Sequence, residues 1–417
     1  MTNDRDSRLW HPFADMGGVR SNELVIDRGD DVWVWDTEGR RFLDATAALW
    51  YSNVGHGRRE IADAVATQMA RLEAYSAFGD FANRPALELA ERLAGLAPMA
   101  GARVFFGSGG GDGIDTAAKL SRRYWLETGQ PERDHLIVRT HAYHGTHGYG
   151  TSLAGIPANR QSWGPLVPDV SVVAWDSVDA LRAEVARVGA DRVAAVFVEP
   201  VIGAGGVYPP PEGYVEGVAA LCRETGILFV CDSVIAGFGR LGTWFGIERW
   251  DVEPDLIVFA KGVTSGYLPL GGVVASGRVA EPFFAAPGAP MFRHGATYAA
   301  HPTCCAAAMA NLDLLERDDL IGRGRTLEGD LLAAMRRLAG HDLVAEVRGG
   351  CGLLAAAELR PGVHPQQVAM AARAGGVLVR PLPTAIAVSP PLTATPEHFD
   401  LIVEAVSAAL DELAARV

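Results

Sequence analysis

The stretch Asp255-Leu-Ile-Val-Phe-Ala-Lys261-Gly262 contains an apolar run that is followed directly by a lysine. The run predicts a buried strand, and open α/β sheets bind their ligands at the carboxyl ends of their strands. Lys261 is one of only two lysines among the 37 basic residues, so arginine is the ordinary cation of this chain. A desolvated lysine amine can attack a carbonyl, whereas arginine stays protonated. Lys261 is therefore a candidate catalytic residue, and the alternative is a lysine whose amine reaches solvent from the strand end.

Composition limits the classes of function. The 417 residues are 49% hydrophobic, which suffices for a large core and for two or three domains. The net charge of −13 argues against nucleic acid as a partner. Five cysteines without a CxxC pair argue against a zinc site or a disulfide framework. The polar amino terminus leads into no apolar segment, and no later apolar run is long enough for a membrane span, so we expect a cytoplasmic protein.

Strands alternate with helices from about residue 60 to residue 318, which predicts an α/β fold with a mostly parallel sheet of seven strands. The predicted strands are Arg103–Phe106, His135–Arg139, Val170–Ala174, Val193–Val198, Ile227–Cys231, Leu256–Ala260 and Gly272–Ala275. The predicted helices are Glu60–Leu72, Arg84–Leu96, Asp112–Thr128, Val178–Val188, Tyr214–Thr225 and Thr303–Glu316.

The flanking regions differ from this pattern. Short antiparallel strands are expected at residues 24–26, 31–35 and 41–43. After the large domain, we expect helices at 320–338, 365–374 and 396–414 and strands at 352–358, 377–380 and 385–388. We therefore predict an N-terminal segment at 1–58 that is part of a small domain, a large domain at 59–318, and a C-terminal small α+β domain at 319–417.

A run of glycines follows the first strand of the large domain. The run Phe106-Gly-Ser-Gly-Gly-Gly-Asp112-Gly113 opens the helix that contains the other lysine, Lys119, which fits a helix surface. Consecutive glycines let backbone N–H groups converge on an anion at the positive end of a helix. The run has neither G-x-G-x-x-G nor G-K-[ST], so the dinucleotide and P-loop interpretations fail. It predicts a phosphate-binding cup, and the alternative is a tight strand-to-helix turn.

Three histidines follow the next strand, in His141-Ala-Tyr143-His144-Gly-Thr-His147-Gly. Their spacing suggests a metal, but glycines break any helix that would align them and no carboxylate accompanies them, so we expect no metal site. Tyr143 is better placed to stack on a flat ring.

Two carboxylates end consecutive later strands, namely Glu199 and Asp232. A buried acid needs a cation or a hydrogen-bond donor. A protonated pyridine nitrogen would suit Asp232, because the ion pair keeps such a ring able to accept electrons. The alternative is a structural ion pair with Arg240 or another arginine. Taken in order, the glycine cup, the aromatic, the acid and the lysine predict pyridoxal 5'-phosphate as the cofactor.

The chain resembles the class III aminotransferases of fold type I, and among them the omega-transaminases. The resemblance runs from Trp10-His-Pro-Phe13 to Ser389-Pro-Pro-Leu392. Its most specific segments are Tyr143-His-Gly, Glu199-Pro-Val-Ile-Gly-Ala-Gly-Gly-Val, Asp232-Ser-Val-Ile-Ala-Gly-Phe-Gly-Arg, Lys261-Gly and His294-Gly-Ala-Thr297-Tyr.

The resemblance implies a role for each matching residue. Lys261 would form the Schiff base and move the proton, and Asp232 would pair with the ring nitrogen. The other implied cofactor contacts are Gly110, Gly111, Tyr143, His144, Glu199, Val234 and Thr297. Thr297 would reach the phosphate from the partner subunit, which implies a homodimer. Trp50 would line the substrate pocket, and Arg380 would bind a substrate carboxylate and move aside for amines without one.

Three segments depart from the family pattern. The family usually has Ser-Gly-Ser-Glu where this chain has Gly109-Gly-Gly-Asp112, and Asp-Glu-Val where it has Asp232-Ser-Val234. Leu241 stands where threonine or serine is common. These departures concern cofactor affinity and substrate choice and leave Lys261 unaffected.

The resemblance implies an enzyme that moves an amino group from a small-molecule donor to a carbonyl acceptor by a ping-pong mechanism, with an amine not restricted to the α-position. The closest alternative is a pyridoxal-phosphate-dependent aminomutase or epimerase. A noncatalytic binding protein on the same fold is the other alternative, although it would need neither Lys261 nor Asp232. Amino sugars and other specialised metabolites are further possible substrates.

Overall fold

The computed structural model describes residues 8–415, in which a seven-stranded sheet forms the centre. In chain order its strands are β4 (Arg103–Gly107), β5 (His135–Arg139), β6 (Val170–Val173), β7 (Val193–Val198), β8 (Leu228–Asp232), β9 (Leu256–Phe259) and β10 (Gly271–Ala275). Their order across the sheet is β4-β10-β9-β8-β7-β5-β6, and only β10 runs antiparallel to its neighbours. The predicted seven-stranded, mostly parallel α/β sheet is confirmed.

Burial explains why these segments are strands. Every residue of β7, β8, β9 and β10 is buried, so each is a short continuous apolar run covered on both faces. Strands β8 and β9 pair in parallel, with Asp232 opposite Val258. Because parallel strands end at the same edge, this register places Asp232 and Lys261 at neighbouring strand ends.

Helices cover the sheets and connect their strands. They are Met16–Asn22, Ala47–Trp50, Arg59–Arg71, Arg84–Leu96, Gly110–Glu127, Gly148–Ser152, Val178–Val188, Tyr214–Thr225, Gly277–Phe284, Pro302–Arg317, Leu320–Thr326, Glu328–Arg336, Pro365–Ala374 and Pro396–Ala414. Polar caps begin some of them: the Asn83 side chain accepts the Ala86 N–H at 3.0 Å. The helix at Gly110–Glu127 has no side-chain cap, which leaves its first turn open to a ligand.

Two smaller sheets complete the fold. One contains β1 (Ile26–Asp30), β2 (Trp33–Asp36), β3 (Arg41–Asp44) and β13 (Val377–Leu378), and the other contains β11 (Val344–Arg348), β12 (Ala355–Leu359), β14 (Arg380–Pro381) and β15 (Ala385–Val388). Strand β13 pairs in parallel with β3, so the N-terminal segment and the C-terminal region share a sheet. The domain boundaries remain a prediction.

Several predicted elements differ in detail. The first strand starts at Ile26, whereas it was expected at residues 24–26. The helix expected at 320–338 ends at Thr326 and restarts at Glu328, while the strand Val344–Arg348 was not predicted. The strand expected at 377–380 divides between two sheets. Among residues 8–415, no helix combines the length and apolar character that a bilayer crossing requires.

Arg240 joins distant parts of the chain at the centre of the fold. Its side chain is fully buried and donates to the Leu353 carbonyl at 2.9 Å, the Pro390 carbonyl at 2.6 Å and Asn53 Oδ1 at 2.9 Å. Burial lowers the pKa of this guanidinium to about 9. Its planar set of donors matches oxygens that lie in three separate chain segments.

We expect Arg240→Ala to lower the free energy of unfolding by about 3 kcal/mol or more, because it leaves three buried oxygens without donors. Urea denaturation followed by circular dichroism measures the change. Arg336→Ala, at an exposed helix position, should change the free energy by no more than about 0.5 kcal/mol. Equal effects of the two substitutions would contradict the role given to Arg240.

Candidate active site

Lys261 lies just past β9 with backbone φ of +49°, in the left-handed region. Its side chain keeps part of its surface accessible, as the wall of a cavity does. The protein packed around the amine lowers its pKa to about 8, although Asp232 and Glu199 act in the opposite direction. A lysine at the solvent-exposed end of a strand would not show this shift. Near neutral pH a far larger fraction of the Lys261 amine is therefore unprotonated and nucleophilic than in an ordinary lysine.

Asp232 is 4% exposed and bonds to His144, whose Nδ1 lies 2.7 Å from Asp232 Oδ2. The other oxygen, Oδ1, accepts the Val234 N–H at 3.0 Å. His144 is fully enclosed, and its Nε2 has no hydrogen-bond partner within the described chain. Arg240, the other partner considered for Asp232, bonds to carbonyls and Asn53 instead. Among the described residues, the side-chain hydrogen-bond partner of Asp232 is therefore a histidine.

Val234 connects Asp232 to the glycine cup. A side-chain carbon at Gly110 would lie 3.0 Å from both Val234 methyl carbons, so only glycine allows this close approach. The N–H groups of Gly110 and Gly111 find no backbone acceptor within residues 8–415. Free N–H donors at the start of an 18-residue helix are suited to binding an anion.

Glu199 holds the loop that carries Tyr143. Its Oε1 accepts the Tyr143 N–H at 3.0 Å and its Oε2 accepts the Gly203 N–H at 3.0 Å. Burial raises the pKa of this carboxyl group. The fully buried Arg139 donates to the Glu199 carbonyl from the neighbouring strand end. These bonds make Glu199 a support for the Tyr143 loop.

Arg380 approaches the same place from the C-terminal region. It lies on β14, and its guanidinium interacts electrostatically with the Tyr143 phenol and with Lys261. Burial lowers the pKa of Arg380. Within residues 8–415 its side chain makes no hydrogen bond or ion pair. A partly buried cation without a carboxylate partner is suited to binding an anion.

Two other predicted residues have different surroundings. Trp50 is 3% exposed and belongs to a buried apolar cluster that includes Ile235 and Leu382. Thr297 is exposed, next to a surface pocket lined by Tyr75, Phe78 and other residues.

The three histidines have different environments. His141 stacks on Tyr208 with ring centroids 4.7 Å apart, His144 bonds to Asp232, and His147 lies beside the glycine cup, 3.5 Å from Asp112. Within residues 8–415 no group of three or more potential metal ligands occurs. The sequence suggested His147 only as a potential metal ligand and gave no signal that it lies at the cup.

The departures from the family pattern fit their surroundings. Ser233 is fully buried, and its hydroxyl lies 3.2 Å from the Cys231 thiol, where an acid would need a cation. Leu241 is fully buried in the apolar cluster that contains Trp50. Both substitutions replace a polar group by one that this interior accepts.

Comparison with known sequences extends over almost the whole chain. The family model described as aminotransferase class-III matches residues 16–410. The chain is 36% identical to an omega-aminotransferase of Caulobacter vibrioides, over 99% of this chain and 98% of that protein. It is 35% identical to a putrescine–pyruvate aminotransferase of Pseudomonas aeruginosa, over 99% and 96%.

Solved structures agree with the sequence matches. An (S)-enantioselective omega-transaminase from Thermomicrobium roseum has a TM-score of 0.93 and 39% identity, covering 97% of this chain and 96% of that one. A PLP-bound amine transaminase from an uncultivated Pseudomonas species has a TM-score of 0.94 and 36% identity, covering 98% and 99%. The family predicted from the sequence is confirmed, and the chain belongs to the class-III aminotransferases.

Proposed function

We propose that this aminotransferase is an omega-transaminase. It moves an amino group by a ping-pong mechanism from a small-molecule donor, whose amine need not be at an α-carbon, to a carbonyl acceptor. The observation that carries the proposal is a lysine with a lowered pKa next to a buried aspartate and an open anion site. Relatives named omega-aminotransferase and putrescine–pyruvate aminotransferase support an amine outside the α-position.

Class-III aminotransferases use pyridoxal 5'-phosphate, and the residues of this chain fit it. Gly110 and Gly111 offer free N–H groups for a phosphate, and Asp232 offers a buried carboxylate for a ring nitrogen. Lys261 offers an amine whose lowered pKa suits bonding to an aldehyde. When bound, the cofactor supplies the carbonyl that takes the amino group and a ring that accepts electrons from the substrate.

Lys261 is the proposed acid and base. Its Nζ takes the proton from the substrate carbon and returns it to a different carbon atom. This transfer requires an amine that can gain and lose a proton near neutral pH. Burial provides this property by lowering the pKa to about 8. The neighbouring Glu199 and Asp232 limit the shift, so the amine remains able to hold a proton.

Asp232 and His144 are proposed to keep the ring nitrogen charged. The His144 ring bonds to Asp232 at 2.7 Å and fixes the orientation of the carboxylate. It leaves Oδ1 with a single bond from the Val234 backbone, so this oxygen has capacity for another donor. Tyr143 and Val234 would then lie on opposite faces of the ring.

Substrate recognition is assigned to Arg380 and Trp50. Arg380 lacks an ionic partner within the described part of the chain and lies near both Tyr143 and Lys261, so a substrate carboxylate would complete its pairing. Trp50 shapes the pocket from the apolar cluster behind it. Amino sugars and specialised metabolites remain candidate substrates.

A homodimer would complete the site through Thr297. This residue is exposed and lies among large exposed side chains, of which Tyr75, Phe78 and Tyr298 are more than half exposed. Such an apolar surface is typical of one that another chain covers. A second copy covering it would bring Thr297 into the partner's phosphate site.

We also propose that the enzyme acts in the cytoplasm. All five cysteines are free thiols, although Cys304 and Cys305 are sequence neighbours. Free cysteines are typical of a reducing compartment.

Donor incubated with the enzyme alone tests the proposed reaction. A panel of alanine, glutamate, ornithine and a simple amine should yield one carbonyl product per active site from the accepted donor, with loss of the absorbance of the bound cofactor. Lys261→Ala should slow this half reaction at least about a hundredfold, because it removes the acid and base. Lys119→Ala, at an exposed helix position, should leave the rate unchanged.

The same incubation separates the alternatives. A mutase or epimerase would exchange solvent deuterium at the amine-bearing carbon without releasing a carbonyl product. A noncatalytic binding protein would do neither, and either result would refute the proposed transamination.

The pH dependence of covalent cofactor capture tests the state of Lys261. Cofactor-free enzyme mixed with pyridoxal phosphate and reduced with borohydride should acquire the cofactor at Lys261. The initial rate should rise with pH, reach half of its maximum near pH 8 and level off only above that pH, because half of the amine is unprotonated at its pKa. Peptide mass spectrometry locates the label. Labelling at Lys119 in preference to Lys261 would contradict the assignment.

Arg380→Leu tests carboxylate recognition. The second-order rate constant of the half reaction should fall by about ten- to a hundredfold with alanine, the value of one charge-assisted hydrogen bond. It should be unchanged with an accepted amine that has no carboxylate, and Arg336→Leu should affect neither donor. An equal loss with both donors would assign Arg380 a structural role.

A further inference from the structure

His147 lies directly over the backbone of the glycine cup. A side-chain carbon built on Gly111 would lie 3.1 Å from Cε1, 3.1 Å from Nδ1 and 3.2 Å from Nε2 of the His147 ring. The imidazole therefore occupies the space that a side chain at position 111 would need. The other glycine that replaces a serine of the family pattern, Gly109, has open space in the same direction.

Glycines bring the histidine to this position. Gly145 has φ of +85°, and a side-chain carbon there would lie 3.2 Å from the Gly111 Cα. The loop that carries Tyr143 therefore rests on the first turn of the Gly110–Glu127 helix, backbone against backbone. His147 follows two residues later and begins the short helix Gly148–Ser152. The contact is thus part of the construction of the cup.

The chemistry of this position favours an anion. The first helical turn has no side-chain cap, and the Gly110 and Gly111 amides lack backbone acceptors within residues 8–415. The cup also lacks hydroxyl groups at positions 109 and 111. An imidazole is a hydrogen-bond donor, so it can replace a hydroxyl donor that the glycines at positions 109 and 111 lack.

Asp112 lies close to the ring. One oxygen of this carboxylate lies 3.5 Å from His147 Nδ1, while the other accepts the Ser108 N–H at 2.8 Å. In its doubly protonated form an imidazole donates through both nitrogens. His147 can therefore face Asp112 with Nδ1 and keep Nε2 for an anion.

We propose that His147 is a phosphate-binding residue of the cofactor site and replaces the hydroxyl group that is absent at position 111. The proposal rests on the proposed function, since it concerns the same pyridoxal phosphate. Half of the His147 side chain, 53%, is exposed, so its replacement should affect binding far more than folding.

Cofactor binding to cofactor-free enzyme measures the effect directly. The dissociation constant of pyridoxal phosphate, followed by quenching of protein fluorescence, should rise about tenfold in His147→Ala, the value of one hydrogen bond to a charged group. The dissociation constant of pyridoxal, which has no phosphate, should stay within about twofold of that of the unchanged enzyme. Inorganic phosphate should also compete less well with pyridoxal phosphate in the variant.

A rescue variant uses the space that the ring leaves. In His147→Ala/Gly111→Ser the new side chain no longer meets an imidazole, and its hydroxyl should recover most of the lost affinity for pyridoxal phosphate. Gly111→Ser alone should bind more weakly than the unchanged enzyme, because it displaces His147. His364→Ala, at an exposed histidine of the C-terminal region, should bind the cofactor normally.

The possible failures are distinguishable. Unchanged affinity for pyridoxal phosphate in His147→Ala would overturn the assignment of His147 while leaving the transaminase intact. An equal loss for pyridoxal and its phosphate would overturn it as well, because it would show a general effect on the pocket. Failure of the wild-type enzyme to bind pyridoxal phosphate would overturn both this inference and the proposed function.

Discussion

The proximity of a buried amine to buried carboxylates is the constraint on which the rest of the structure depends. Lys261 follows β9, and Asp232 ends the neighbouring parallel strand β8. Burial alone would drive the lysine towards a neutral amine, and the nearby acids act against this. The balance leaves an amine that can carry or release a proton near neutral pH, which the proposed chemistry requires.

The surrounding structure keeps these charges in place without neutralising them. His144 bonds to Asp232, and Glu199 uses both oxygens to hold backbone N–H groups of its own loop and of the Tyr143 loop. Arg240, although close to Asp232 in sequence, donates to the Leu353 and Pro390 carbonyls. These bonds connect the large sheet to the C-terminal region. Each buried charge therefore has a separate set of partners, and the amine of Lys261 stays available for a ligand.

Local patterns predicted the large sheet well, because β7 to β10 are continuous apolar runs bounded by glycine and polar residues. They failed where pairing between segments that are far apart in the sequence determines which strands form. Val377–Leu378 pairs with β3 while Arg380–Pro381 pairs with β15, so one extended segment serves two sheets. Strand Val344–Arg348 was missed because its five residues form neither a continuous apolar run nor a regular alternation of buried and exposed positions.

The site shows the same division. Lys261, Asp232 and the glycine cup were predicted from residue type at strand ends, where topology fixes position. The bond between His144 and Asp232, and the contact of His147 with Gly111, join segments that only the folded chain brings together. Sequence periodicity and spacing do not encode such contacts. In the sequence, a glycine that leaves space for the ring of a residue far along the chain cannot be distinguished from any other glycine of a turn.

A crystal structure with pyridoxal phosphate tests the central claim most directly. Continuous electron density should join the Lys261 Nζ to the cofactor, with an Asp232 carboxylate oxygen within hydrogen-bond distance of the ring nitrogen and the phosphate against Gly110 and Gly111. A cofactor bound elsewhere, or one whose ring nitrogen faces away from Asp232, would contradict the account.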